Sequence, residues 1–112
     1  GLLGSRFTME QDFYRARLRD RHGLEALVPG PEDRERVHRV IYDELCLGEI
    51  RPESRAVYSR VMADLVARGA EGIVLGCTEI ALLVGPADAT VPLFDTTALH
   101  ARAAAERALA VP

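Results

Sequence analysis

Gly72-Ile73-Val74-Leu75-Gly76-Cys77-Thr78-Glu79-Ile80 is the stretch on which the fold and the chemistry both turn. Residues 73–75 are apolar at consecutive positions, so neither face of the strand they form is meant for water. Strands of that kind belong to parallel sheets covered by helices. Gly76 lets the backbone turn sharply, and three polar residues follow at once. In open parallel sheets ligands bind outside the carboxyl ends of the strands. Cys77, Thr78 and Glu79 stand in that position.

Outward from this strand, helical and strand patterns alternate with short connections. Residues 1–3 suit the end of a buried strand. Thr8-Met9-Glu10-Gln11 fits a capping box that opens a helix carrying Tyr14 and Leu18 on one side, with Gly23 as its stop. Residues 24–28 read as a short strand ended by Pro29 and Pro31. A helix over 32–47 is predicted from the spacing of Val37, Val40, Ile41 and Leu45, and Gly48 ends it. Pro52 suits the first turn of the next helix, whose apolar stripe is Val57, Tyr58, Val61, Met62 and Leu65, with Gly69 as its stop. A short helix or turn at 80–84, a strand at 91–94 and a helix at 97–109 complete the chain. The order predicts an α/β fold, a four-stranded parallel sheet flanked by helices. There are no repeats and no internal linker.

The bulk numbers agree. The chain has 112 residues, 48% of them apolar and 28% charged, which is the balance of one globular domain. Fourteen basic and 17 acidic residues are well mixed, giving a net charge of −3 and no basic stripe for nucleic acid. No apolar run approaches the roughly 18 residues needed to span a membrane. The first residues lack the features of a signal peptide, and without an initiating Met they read as the middle of a longer chain. Two cysteines, Cys46 and Cys77, are not a disulfide framework, so a reducing cytoplasmic compartment is expected.

Cys77 and Thr78 fall near the amino end of the following helix, where N–H groups and the helix dipole favour an anion. A thiol there is expected to have its pKa lowered and to serve as a base. Cys77 also fits the plainer description of a small buried residue closing a strand, as free cysteines commonly are. Thr78 can offer a hydroxyl to a carboxylate. Glu79 can orient the thiol or simply cap the helix. Ser5 and Thr8 place further hydroxyls after the first strand, and Asp95, Thr96 and Thr97 follow the last. Helix capping explains Asp95 and Thr96 better than function does, and for Thr8 the two explanations stand level. Together the strand ends suggest a small, anionic, hydrogen-bonding ligand. Cys46, in the last turn of a helix beside Leu45, reads as structural. The three histidines have no metal-ligand spacing: His22 and His38 read as surface residues, and His100 as a solvent or interface residue.

The segment 72–80 resembles the second catalytic motif of the aspartate/glutamate racemase superfamily. Leu2-Leu3-Gly4-Ser5-Arg6-Phe7-Thr8-Met9 is similar to the segment that opens that family's second half, and Val91-Pro92-Leu93-Phe94-Asp95-Thr96-Thr97-Ala98-Leu99-His100-Ala101 to its closing segment. Ile41-Tyr42-Asp43-Glu44-Leu45 and Glu53-Ser54-Arg55 match in order between them. The resemblance implies two similar flavodoxin-like domains that face each other, each with one catalytic cysteine. One thiolate removes the α-proton of an amino acid, and the other thiol delivers a proton to the opposite face. No pyridoxal phosphate or metal takes part. Cys77 becomes the catalytic thiol, and Thr78, Glu79, Ser5 and Thr8 the substrate-binding set. Residues 1–96 become the second α/β domain, and 97–112 a closing helix that packs on the absent first domain or on a partner chain.

Glu79 resembles the aspartate-racemase branch, since glutamate racemases carry His there. The aspartate branch often has a basic residue where this chain has Leu47, which puts aspartate in doubt and favours a neutral or broader polar amino acid. The partner cysteine is not in this chain, so the chain by itself is expected to be inactive and to self-associate through the apolar face of its last helix. Related chemistries remain open: hydantoin racemase, maleate cis–trans isomerase and arylmalonate decarboxylase use cysteines at these positions. A flavodoxin-like binding or interaction module with no catalysis of its own is a further alternative, of a different class.

Overall fold

Ile73, Val74 and Leu75 form the central strand, β2 (Ile73–Leu75), of a computed structural model that describes residues 1–111. β1 (Leu2–Leu3) and β3 (Leu93–Asp95) flank it, both parallel, in the order β1-β2-β3. The register sets Leu2 beside Val74 and Leu3 beside Leu75, then Val74 beside Phe94 and Leu75 beside Asp95. Side chains alternate along a strand, so Leu3, Ile73 and Leu75 share one face and Leu2, Val74 and Phe94 the other.

The first face carries the core. α3 (Pro31–Asp43) and α4 (Pro52–Ala67) bring Val37, Val40, Ile41, Tyr58, Val61, Met62 and Leu65 against Leu3, Ile73 and Leu75. Ile80 and Leu83 of α5 (Ile80–Leu83) join the same cluster. Each large apolar side chain taken fully out of water there contributes about 1.5–3 kcal/mol. The second face is covered unevenly. Leu2 is buried and Val74 half-buried, but Phe94 is 45% exposed. The expectation of helices over both faces is therefore met at β1 and fails toward β3. α6 (Thr96–Leu109) leaves β3 directly and buries none of its residues.

Among the described residues three strands form, not four. Residues 24–28 run past the outer edge of β1, but only one backbone bond joins them to it, Leu2 N–H to the Leu27 carbonyl at 2.8 Å. The next carbonyls along are taken by side chains: Arg68 Nη1 donates to Val28 O at 2.8 Å and Arg34 Nη1 to Pro29 O at 2.9 Å. Leu27 and Val28 still pack on the core, which explains their strand-like apolar signal.

The first helix also departs from expectation. Instead of one helix opened by Thr8, there are two, α1 (Arg6–Glu10) and α2 (Asp12–His22), broken at Gln11, whose backbone is extended. Thr8 lies inside α1 and Gln11, its partner in the expected box, sits at the break itself, so no capping box forms at Thr8. α2 stops at Gly23, which takes a φ of 64°. α3 ends at Asp43, four residues early, and a 3₁₀ turn over Leu45–Leu47 carries the chain to Gly48. Pro52 occupies the first turn of α4 as expected. Among the described residues no helix is long and apolar enough to cross a membrane.

Candidate active site at the carboxyl ends of the strands

The ends of β1 and β2 meet backbone to backbone. Gly76 N–H donates to Leu3 O at 2.7 Å. A Cβ on Gly4 would sit 2.9 Å from Thr8 Cβ and Cγ2 and 3.2 Å from Gly76 O, and one on Gly76 would sit 3.1 Å from Leu3 O. Thr8 thus lies over the junction of the two strands, its methyl group packed against both glycines, and only residues without a side chain admit that approach. Ser5 follows Gly4 as the residue before α1, and its hydroxyl makes no capping bond. Among the described residues, the Thr8 hydroxyl has no hydrogen-bond partner either.

Beyond Gly76, Cys77 is half-buried and its Sγ donates to Glu79 Oε2 at 3.0 Å. Thr78 is exposed beside it. The Thr78 hydroxyl and the Cys77 thiol hold the Glu79 carboxyl below the usual carboxylate range. For Cys77 the expected direction is reversed. Burial pushes the thiol up to about 11, and the Glu79 carboxylate pushes the same way through its hydrogen bond and its charge. The backbone N–H groups of Glu79 and Ile80 pull the other way but lose. The helix they begin has only four residues, too few for a strong dipole.

The labelling order of the two cysteines follows. At pH 8 a thiol titrating near 11 is thiolate in only about 0.1% of molecules. Iodoacetamide should modify the exposed Cys46 at least about tenfold faster than Cys77, with the Cys77 rate climbing until about pH 11. Glu79→Gln should speed Cys77 several-fold by removing the carboxylate. Peptide mass spectrometry reads both, and an equal rate for Cys77 in the two proteins would remove Glu79 as a control on the thiol.

The remaining residues sort by what they touch. Asp95 caps α6, accepting from Thr97 N–H at 3.1 Å and Ala98 N–H at 3.3 Å, and Thr96 Oγ1 donates to Leu75 O at 2.8 Å. Asp95 is the cap, as expected; Thr96 is not, and its hydroxyl instead ties the start of α6 to β2. Cys46 and His100 are exposed, and Leu47 is 70% exposed at the end of the 3₁₀ turn. His38 is not a plain surface residue. It is half-buried, and its Nδ1 accepts the Arg6 backbone N–H at 2.9 Å, across 32 residues. One local sign was present in the sequence: Tyr42 lies four residues on, on the same helix face, and the two rings meet at 4.7 Å.

Two surface depressions lie elsewhere, one between α2 and residues 23–26 beside Arg15, the other at the start of α3 beside Arg36 and Arg60; neither includes Cys77 or its neighbours. Among the described residues no cluster of His, Cys, Asp and Glu has the arrangement of a metal site.

A family model for Asp/Glu/hydantoin racemases matches residues 1–104. A crystal structure of a candidate Asp/Glu racemase from Yersinia pestis superposes with a TM-score of 0.93 at 59% identity, over 98% of this chain and 48% of that one. An aspartate racemase homologue from Pyrococcus horikoshii gives a TM-score of 0.85 at 36% identity, over 96% of this chain and 46% of that one. The chain spans about half the length of these solved relatives.

Proposed function

Since this chain belongs to the Asp/Glu/hydantoin racemase family, we propose that it forms the C-terminal half of a cofactor-independent amino-acid racemase in which Cys77 is one of two proton-transfer thiols. The observation that carries this reading is the Cys77 thiol, half-buried at the carboxyl end of β2 with its proton directed at Glu79. At neutral pH such a thiol carries its proton and so stands in the donating form. In that direction the Cys77 proton moves to one face of the substrate α-carbon, while a thiolate from the other half removes the α-proton from the opposite face. In the reverse direction Cys77, as thiolate, is the base. Its pKa must then fall when the two halves close on the substrate, which is the kind of matching general acid–base catalysis requires.

Ser5, Thr8, Thr78 and Glu79 make up the substrate-binding set in this proposal. The unbonded hydroxyls of Ser5 and Thr8 beside the Gly4–Gly76 junction support it. The substrate is a small amino acid, and the apolar, exposed Leu47 favours a neutral polar side chain over aspartate. Residues 1–96 act as one catalytic domain. The exposed α6 and the thinly covered face around Phe94 are the surfaces that the other half, or a second copy, would cover. A reducing, cytoplasmic setting belongs to the same proposal, because the thiol must stay unoxidised.

Deuterium oxide tests it. The intact protein incubated with single enantiomers of polar amino acids should replace the α-proton by deuterium and lose optical activity at matched rates, followed by proton NMR and polarimetry. This chain alone should show no turnover. Exchange by the isolated chain, or no exchange with any amino acid while hydantoins racemise, would overturn the assignment.

A further inference from the structure

We infer that His38 is a positioning residue: resting on the racemase reading above, its neutral imidazole holds the β1–α1 turn, and with it Ser5, at the site. The bond is specific. Arg6 N–H donates to His38 Nδ1 at 2.9 Å. In the same peptide the Ser5 carbonyl accepts Met9 N–H at 3.1 Å. A peptide unit is planar, so bonds to its N–H and to its C=O fix it from both ends. The Ser5 Cα and its hydroxyl, which caps nothing, hang directly from that plate. Acceptance at Nδ1 puts the imidazole proton on Nε2.

The ring is well held. Tyr42 meets it at 4.7 Å between centroids, and Phe7 of α1 stands edge-on at 6.3 Å. The charged and titratable groups flanking it on α1 are Arg6 and Glu10. Those on α3 are Arg34, Glu35, Arg39 and Tyr42. The charges pair among themselves: Arg6 with Glu35 at 2.5 Å, Arg39 with Glu35 at 3.1 Å, Arg34 with Glu10 at 3.4 Å. None of them hydrogen-bonds the imidazole, whose one partner across the helices is the backbone of α1.

Three versions of the intact protein separate this role from plain packing. His38→Asn keeps an acceptor oxygen near the Nδ1 position but does not titrate. His38→Phe keeps a ring and loses the acceptor. His38→Phe should raise the substrate KM about tenfold at neutral pH, the effect of one lost hydrogen bond, with kcat changed far less. His38→Asn, which keeps an acceptor, should match the wild-type KM. A KM for His38→Phe within twofold of wild type, or a KM for His38→Asn raised as far as that of His38→Phe, overturns the proposal. The bond is also read without turnover, by NMR of intact protein labelled at arginine and serine. The Arg6 amide signal should shift in His38→Phe and stay near its wild-type position in His38→Asn. A signal unmoved in His38→Phe would refute the bond. If instead no amino acid is racemised but the amides behave as expected, the racemase reading fails while the anchoring of Ser5 by His38 stands.

Discussion

Cys77→Ser should lower the racemisation rate of the intact protein by at least about a thousandfold, with its melting temperature nearly unchanged. General acid–base catalysis by a positioned group is worth about 10²–10⁴ in rate. A serine hydroxyl is a far weaker acid than a thiol, so it neither delivers a proton readily nor forms the conjugate base near neutral pH. The replacement is small and the position only half-buried, so packing changes little. The hydroxyl can still donate to Glu79, so the geometry of residues 76–79 should persist. Racemisation followed by polarimetry and unfolding followed by circular dichroism separate the two effects. A variant that keeps more than about a tenth of the wild-type rate would remove Cys77 from the proton path.

Tyr58→Ala should cost about 3–5 kcal/mol of stability, the range for truncating a large buried aromatic. Tyr58 has no exposed surface and lies between the two long helices and the sheet. Small domains have only about 5–15 kcal/mol to lose, so this one change brings the protein close to unfolding at 37 °C. Tyr58→Phe should cost only about 1 kcal/mol, because it removes a single bond, Tyr58 Oη to Val37 O at 2.7 Å. The Val37 carbonyl lies inside α3 and retains its own helical partner. Urea unfolding of both variants gives the comparison. Equal losses would assign the stability to the hydroxyl instead of the ring.

Much of the fold is legible because it depends on neighbours in sequence. The apolar run at residues 73–75, the stops at Gly23 and Gly48 and the start at Pro52 each act within a turn or two of themselves. The failures come from distant partners. Residues 24–28 have the composition of a strand, but Arg68, 40 residues from Val28, takes a carbonyl that a ladder would need. Thr8 and Gln11 have capping-box spacing, but Thr8 is held inside α1 against the strand junction and Gln11 is the extended break between two helices. The position of Cys77 after β2 was readable from its neighbours. The direction of its pKa was not, because it rests on the length of α5 and on which way the Glu79 side chain turns. His38 was misread for the same reason: its partner is a backbone N–H that only the packing of α1 on α3 brings near.

The parallel pairing of β1 with β2 carries a consequence for how the chain reaches this state. Leu2 finds its partner Val74 only after 72 residues have been made, and the intervening helices must fold while the sheet they cover is still half absent. At about 5–20 residues per second, synthesis leaves Leu2 and Leu3 without their neighbouring strand for roughly 4–14 s. Pairings between positions so far apart in sequence also close slowly once both are present. During that interval two of the most buried side chains in the finished domain are open to solvent and to other chains.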